Sequence, residues 1–155
     1  MIEKQPSSRS CFVCGRDNPA GLRARWIADG AAGEVRATVT LADGFQGFPG
    51  LAHGGVVTAL LDEAMVRALL LRGGFEDLMV TARMEVTFRR ATPTGQPVTV
   101  VGRIVKHAAA RATAAAEVRL ADGTVAARAE GLLLRQPPDV AAAWAEERAH
   151  WRVDD

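Results

Sequence analysis

Hydrophobic and polar residues change period along this chain, and the changes mark its elements. From Glu34 to Leu41 they alternate, with Val35, Ala37, Val39 and Leu41 apolar between Glu34, Arg36, Thr38 and Thr40. Period two predicts a half-buried strand, which Asp43-Gly44 ends. A shorter alternation of Leu22, Ala24 and Trp26 predicts an earlier strand over 22–26. Residues 45–52 (FQGFPGLA) hold two glycines and a proline and read as an irregular loop.

From about His53 to Arg72 the pattern becomes a continuous apolar run of helix length, with VVTALLDEAMVRALLL at its heart. Ala, Leu and Met favour helix, and Gly73-Gly74 supplies a stop. A helix apolar nearly all round has to be covered on most sides. Period two then returns. Val80, Ala82, Met84, Val86 and Phe88 share one face, and Thr81, Arg83, Glu85, Thr87 and Arg89 the other. After a turn at 93–97, strands are expected over 98–106, 111–120 and 125–135, the last two joined by an Asp122-Gly123 hairpin. Residues 139–152 predict a short terminal helix, and residues 1–10 predict disorder.

The order is two strands, one helix, then four strands on hairpin-length connections, which makes the later pairs antiparallel. The expected fold is α+β, an antiparallel sheet of about six strands wrapped around one long central helix. The expected organisation is a tail and turn at 1–19, one main domain at 20–136 and a C-terminal helix at 137–155.

Composition narrows the function. At 155 residues one domain with a real core is expected. A net charge of +1 builds no basic field for nucleic acid. Asp62, Glu63 and Arg67 exclude a membrane span for the apolar helix. MIEKQPSSRSC lacks the apolar core of a secretory signal, so a cytoplasmic protein with reduced thiols is expected. Cys11-x-x-Cys14 falls short of a structural metal site, which needs four ligands, because no second pair exists and the nearest histidine is His53. A redox dithiol lacks its usual βαβ context. The segment is expected to be a turn packed on the sheet, with no metal and no cofactor. His107 and His150 are expected at the surface.

The candidate chemistry lies at the helix mouth. Glu63 has Arg67 at i+4, which predicts an ordinary surface ion pair. Asp62 has Thr58, Ala59, Met65 and Val66 as its helix neighbours, none of them basic. An unpaired carboxylate there must face water, a partner chain or a substrate. His53 reads either as a cap or as a residue shaping a site. Gly54 and Gly55 read either as a turn or as bare N–H groups whose helix-end positive charge stabilises an oxyanion.

The stretch GFPGLAHGGVVTALLDEAM resembles the active-site segment of hotdog-fold acyl-CoA thioesterases of the phenylacetate-pathway and 4-hydroxybenzoyl-CoA type. Their motif is His-Gly-Gly with an acidic residue nine positions after the histidine. The resemblance covers roughly residues 20–135, and CFVCGRDNPAGL is similar to a subgroup close to the thioesterase-superfamily-member-4 proteins. It implies a hotdog fold, an acyl-CoA substrate and hydrolysis to the free acid and coenzyme A. Asp62 would be nucleophile or general base, Gly54 the oxyanion donor, His53 the residue shaping the turn, and Thr81 a hydroxyl holding the attacking water. It also implies a homodimer with interface active sites, Asp62 and Thr81 coming from different subunits, and a homotetramer built as a dimer of dimers. Some relatives carry Asn six residues before the histidine, where this chain has Gly47, and Gln46 is the candidate substitute. Gly47 and Gly55 would line the substrate, and Arg89 and Arg90 would meet coenzyme A phosphates. Two competing expectations are a non-catalytic acyl-CoA-binding or regulatory hotdog domain and a hotdog hydratase.

Overall fold

Helix α1 (Gly54–Arg67) begins where it does because His53 caps it, its Nδ1 accepting the Gly55 N–H at 2.9 Å. The cap satisfies one of the donors that every helix start leaves open. In this computed structural model, which describes residues 1–154, the helix tightens into a 3-10 turn (Ala68–Leu71) ahead of Gly73-Gly74. Val57, Leu60, Leu61, Ala64 and Met65 are buried. Their spacing of three and four residues forms one continuous stripe.

Among the described residues a sheet of seven strands receives that stripe on its central part. They are β1 (Ile2–Lys4), β2 (Ile27–Asp29), β3 (Glu34–Thr40), β4 (Val80–Phe88), β5 (Pro97–His107), β6 (Arg111–Arg119) and β7 (Val125–Leu134). All pairs are antiparallel, in the order β1-β2-β3-β5-β6-β7-β4. The helix therefore carries the chain across the sheet, from β3 to the far edge at β4. It lies over β5, β6 and β7, as the hotdog arrangement requires.

Small residues make that close approach possible. Ala112, Ala114 and Ala116 of β6 are buried, which gives the alanine alternation a reason. A Cβ at Gly102 would collide with the Ala64 carbonyl, and one at Gly131 would come 2.9 Å from the Met65 sulfur. Gly102→Ala should therefore destabilise the fold by about 1–3 kcal/mol, although alanine suits a strand better than glycine. Chemical denaturation checks this, and an unchanged midpoint would contradict the packing.

Several expectations change. The sheet has seven strands rather than about six, because residues expected to be disordered supply β1, paired to β2 from Ile2↔Asp29 to Lys4↔Ile27. Three residues are too few to show a period. The strand expected over 22–26 is displaced to Ile27–Asp29, although Leu22, Ala24 and Trp26 are all buried. The terminal helix is two short pieces, α2 (Pro138–Ala143) and α3 (Ala145–Arg148), that meet at Trp144. Residue 155 of that expected segment lies outside the described residues. Among the described residues no helix is long and apolar enough to cross a membrane.

Candidate active site

Strand β4 does not keep strict alternation, and the site depends on the departure. Val86 sits opposite Ala129, and Phe88 opposite Ala127, both buried on the helix side of the sheet. Between Thr81 and Arg83 the register shifts by one residue, leaving Thr81 opposite the buried Leu133. Residues directly opposite on paired strands share a face, and a bulge moves the following residues to the other one. Thr81, assigned by period two to the outer polar face, is turned inward.

There its hydroxyl donates to Asp62 Oδ1 at 2.5 Å. Both side chains belong to one chain, which corrects the expectation that Asp62 and Thr81 come from different subunits. Asp62 is half-buried and forms no ion pair among the described residues. Its carboxylate is thus held by one neutral donor at Oδ1, and Oδ2 accepts no hydrogen bond among the described residues.

At the helix mouth His53, Gly54 and Gly55 are exposed. The Gly55 N–H is taken by His53 and the next two donors by the His53 carbonyl. The Gly54 N–H has no acceptor among the described residues. Gly54 lies under Phe88, since a Cβ there would sit 3.5 Å from the ring's Cζ. Phe88 is 53% exposed and Phe48, in the preceding loop, 77%. Nothing in the sequence pattern singled out Phe88 beyond its place on the strand.

Gln46 is not brought to Asp62. Its Oε1 accepts the Gly50 N–H at 3.1 Å, so that oxygen closes its own loop. Gly47 packs against the cap, where a Cβ would lie 3.3 Å from both Cα and Cδ2 of His53. An Asn at this position would crowd the histidine. Arg89 and Arg90 are exposed just beyond Phe88 and form no ion pair among the described residues. Their backbone N–H groups both bond the Ala126 carbonyl, at 2.8 and 3.0 Å.

A second polar cluster lies elsewhere on α1. Glu63 Oε1 accepts from Arg67 Nε at 2.8 Å, but Arg67 is only 1% exposed, so this pair is buried rather than superficial. Cys11 and Cys14 form the expected turn, yet they face Glu63 on the helix. Burial pushes the Glu63 carboxyl up to about 7 against the pull of Arg67. The neighbouring Cys11 thiol, helped by Arg67, holds Cys14 down to about 4, and Cys14 in turn pushes Cys11 up. His107 and His150 are exposed, as expected.

No curated protein matches this chain. Among solved structures, the thioesterase superfamily protein RHA08564 is 33% identical with a TM-score of 0.75. The match covers 81% of this chain, and the chain spans only 60% of that protein's length. The E. coli PaaI protein of the phenylacetic acid degradation operon is 19% identical, with a TM-score of 0.61 over 66% of this chain and 76% of PaaI. Streptococcus mutans smu.793, solved bound to acetyl CoA, is 20% identical, with a TM-score of 0.60 over 67% of this chain and 85% of its own. The last two likenesses establish the fold alone. The sequence profile of the thioesterase superfamily matches residues 49–127, just over half of the 155 residues, from the loop before His53 through Asp62 and Thr81 into β7. This chain belongs to the thioesterase superfamily.

Proposed function

We propose that the protein hydrolyses acyl-CoA thioesters to the free acid and coenzyme A. The observation that carries the proposal is Asp62, a half-buried carboxylate without a cation, held at Oδ1 by the Thr81 hydroxyl. Oδ2 then either attacks the thioester carbon or takes a proton from the water that does. The thioester oxygen, gaining charge, accepts the unpaired Gly54 N–H at the positive end of α1. The carbon–sulfur bond breaks and the coenzyme A thiolate leaves, to be protonated by water. Where Oδ2 itself has attacked, a water then cleaves the acyl-aspartyl anhydride, releasing the acid and restoring the carboxylate. Arg89 and Arg90, exposed beside the mouth, suit the phosphates of the carrier.

One chain does not complete this arrangement. Gly54 and Asp62 are eight residues apart on α1, about 12 Å along the axis at ~1.5 Å per residue. An oxyanion donor and a directly attacking carboxylate must meet one carbonyl within about 3 Å on each side. A second copy is therefore the source of the N–H opposite each Asp62–Thr81 pair, as in a two-fold dimer. The exposed Phe88 over Gly54, with the exposed Phe48 of the preceding loop, is the surface such a copy would cover. Asp62 and Thr81 act together from one subunit, with His53 and Gly54 from the other.

The test is release of thiol from a panel of aliphatic, aryl and branched acyl-CoAs. Turnover of at least one member is expected, whereas tight binding with no turnover across the panel would favour a binding domain. Thr81→Val should lower turnover about tenfold or more, the size of a lost hydrogen bond to a charged group. Thr81→Ser should restore most of it, because it returns the hydroxyl that positions Asp62. Equal activity in both variants would remove Thr81 from the site.

A further inference from the structure

Nothing in thioester hydrolysis uses Cys11-x-x-Cys14, yet both sulfurs are built into a defined turn. The Gly15 N–H bonds the Cys11 carbonyl at 2.8 Å, and the Val13 N–H bonds the Cys11 sulfur at 3.3 Å. The Cys11 N–H bonds Ser8 Oγ at 3.1 Å, which fixes the entry to the turn. Ser8 Oγ also lies 3.5 Å from the Cys14 sulfur, so one hydroxyl touches both ends of the turn. The turn then presents both cysteines to α1, where Glu63 waits.

The Cys11 sulfur lies 3.6 Å from Glu63 Oε2, and the ligand atoms of Cys11, Cys14 and Glu63 all fall within 4.8 Å of one another. A tetrahedral zinc with bonds of about 2.3 Å to sulfur and about 2.0 Å to oxygen separates those two atoms by about 3.5 Å. The carboxylate is divided as a metal ligand requires. Oε1 is held by Arg67 Nε, while Oε2 faces the sulfurs. Such an outer partner orients a ligand. Arg67 is itself fixed by the Pro6 carbonyl and by the Trp151 ring, 4.8 Å from the guanidinium carbon.

Charge also balances. Two thiolates and a carboxylate carry three negative charges, and Arg67 with a divalent ion carries three positive. A buried cluster is stable only when so compensated. Access exists as well, because Cys11 opens into a groove walled by Phe75, Trp144 and Trp151.

We propose that Cys11, Cys14 and Glu63 form a zinc site of two thiolates and one carboxylate, with the fourth position left to water at the groove. Binding displaces the two thiol protons to solvent. The ion ties the N-terminal segment to α1 one residue from Asp62. The ligand count that argued against a metal in the sequence changes because Glu63, remote in the chain, supplies the third donor. Soft thiolates with one oxygen select zinc over magnesium or calcium.

The full-length protein, purified reduced and without chelators, should carry one zinc per chain by elemental analysis. After zinc removal, titration with cobalt should give sulfur-to-cobalt charge-transfer absorption that zinc abolishes. Cys11→Ser and Cys14→Ser should each weaken that absorption. Glu63→Gln should keep it but lower metal affinity by about tenfold or more, at least the cost of disturbing an outer-shell partner. Zinc should raise the thermal midpoint of the unaltered protein and not of Cys14→Ser. Folded, reduced protein that takes up no cobalt would overturn the proposal. So would cysteine pairs recovered only as a Cys11–Cys14 disulfide, or an affinity unmoved by Glu63→Gln.

Discussion

Asp62→Asn is expected to leave the fold and acyl-CoA binding intact while lowering thiol release by roughly 10²- to 10⁴-fold. Asparagine matches aspartate in shape, and its amide oxygen still accepts the Thr81 hydroxyl now 2.5 Å from Oδ1. What it loses is the capacity to take a proton or attack a carbonyl. Circular dichroism and a binding titration establish that the variant is folded and occupied. Turnover within a few-fold of the unaltered protein would remove Asp62 from the chemistry, and with it the proposed hydrolysis.

The second large effect is expected from Gly54→Pro, which deletes one N–H and little else. Position 54 is the first residue of α1, where proline is well tolerated. His53, at φ −60° and ψ 136°, already has the extended conformation that proline demands of its predecessor. The deleted N–H bonds nothing among the described residues, so helix stability has little to lose. An oxyanion donor, by contrast, typically contributes 10²- to 10³-fold in rate, and a loss of about that size is expected. Gly54→Ala is the comparison. It keeps the N–H, and its Cβ meets Phe88 at an ordinary 3.5 Å. If alanine and proline reduce turnover equally, the donor role fails and only the lack of a side chain matters.

The two variants together test the shared site. Subunits carrying Asp62→Asn and subunits carrying Gly54→Pro, each inactive alone, are expected to regain activity when exchanged. In a random mixture of two-fold dimers, half are mixed and each mixed dimer has one intact site, so about a quarter of normal activity should return. No recovery despite proven exchange would place both groups in one chain.

How much of this is written locally can be judged residue by residue. The buried stripe Val57, Leu60, Leu61, Ala64, Met65 is legible because helix periodicity acts over three or four residues. The same holds for β3 and β6 at period two, and for the turn at Asp122-Gly123, where Gly123 has φ +84°. Asp62 stood out against Glu63 because only Glu63 has a basic residue one turn away. Those are neighbour relations, and the amino-acid string holds them in full.

What could not be read there involves partners distant in the chain. Period two placed Thr81 on the outer face, and a one-residue bulge set by pairing with β7 turned it toward Asp62. Glu63 and Arg67 looked superficial, yet the N-terminal segment and Trp151 bury Arg67. Ile2–Lys4 has no pattern of its own and becomes a strand only because β2 offers an edge. Cys11 and Cys14 lacked a third ligand until folding laid them against Glu63. Side-chain spacing thus determines each element and the reactive groups it carries. Strand register and helix-to-sheet packing, which depend on contacts between remote residues, decide which of those groups meet.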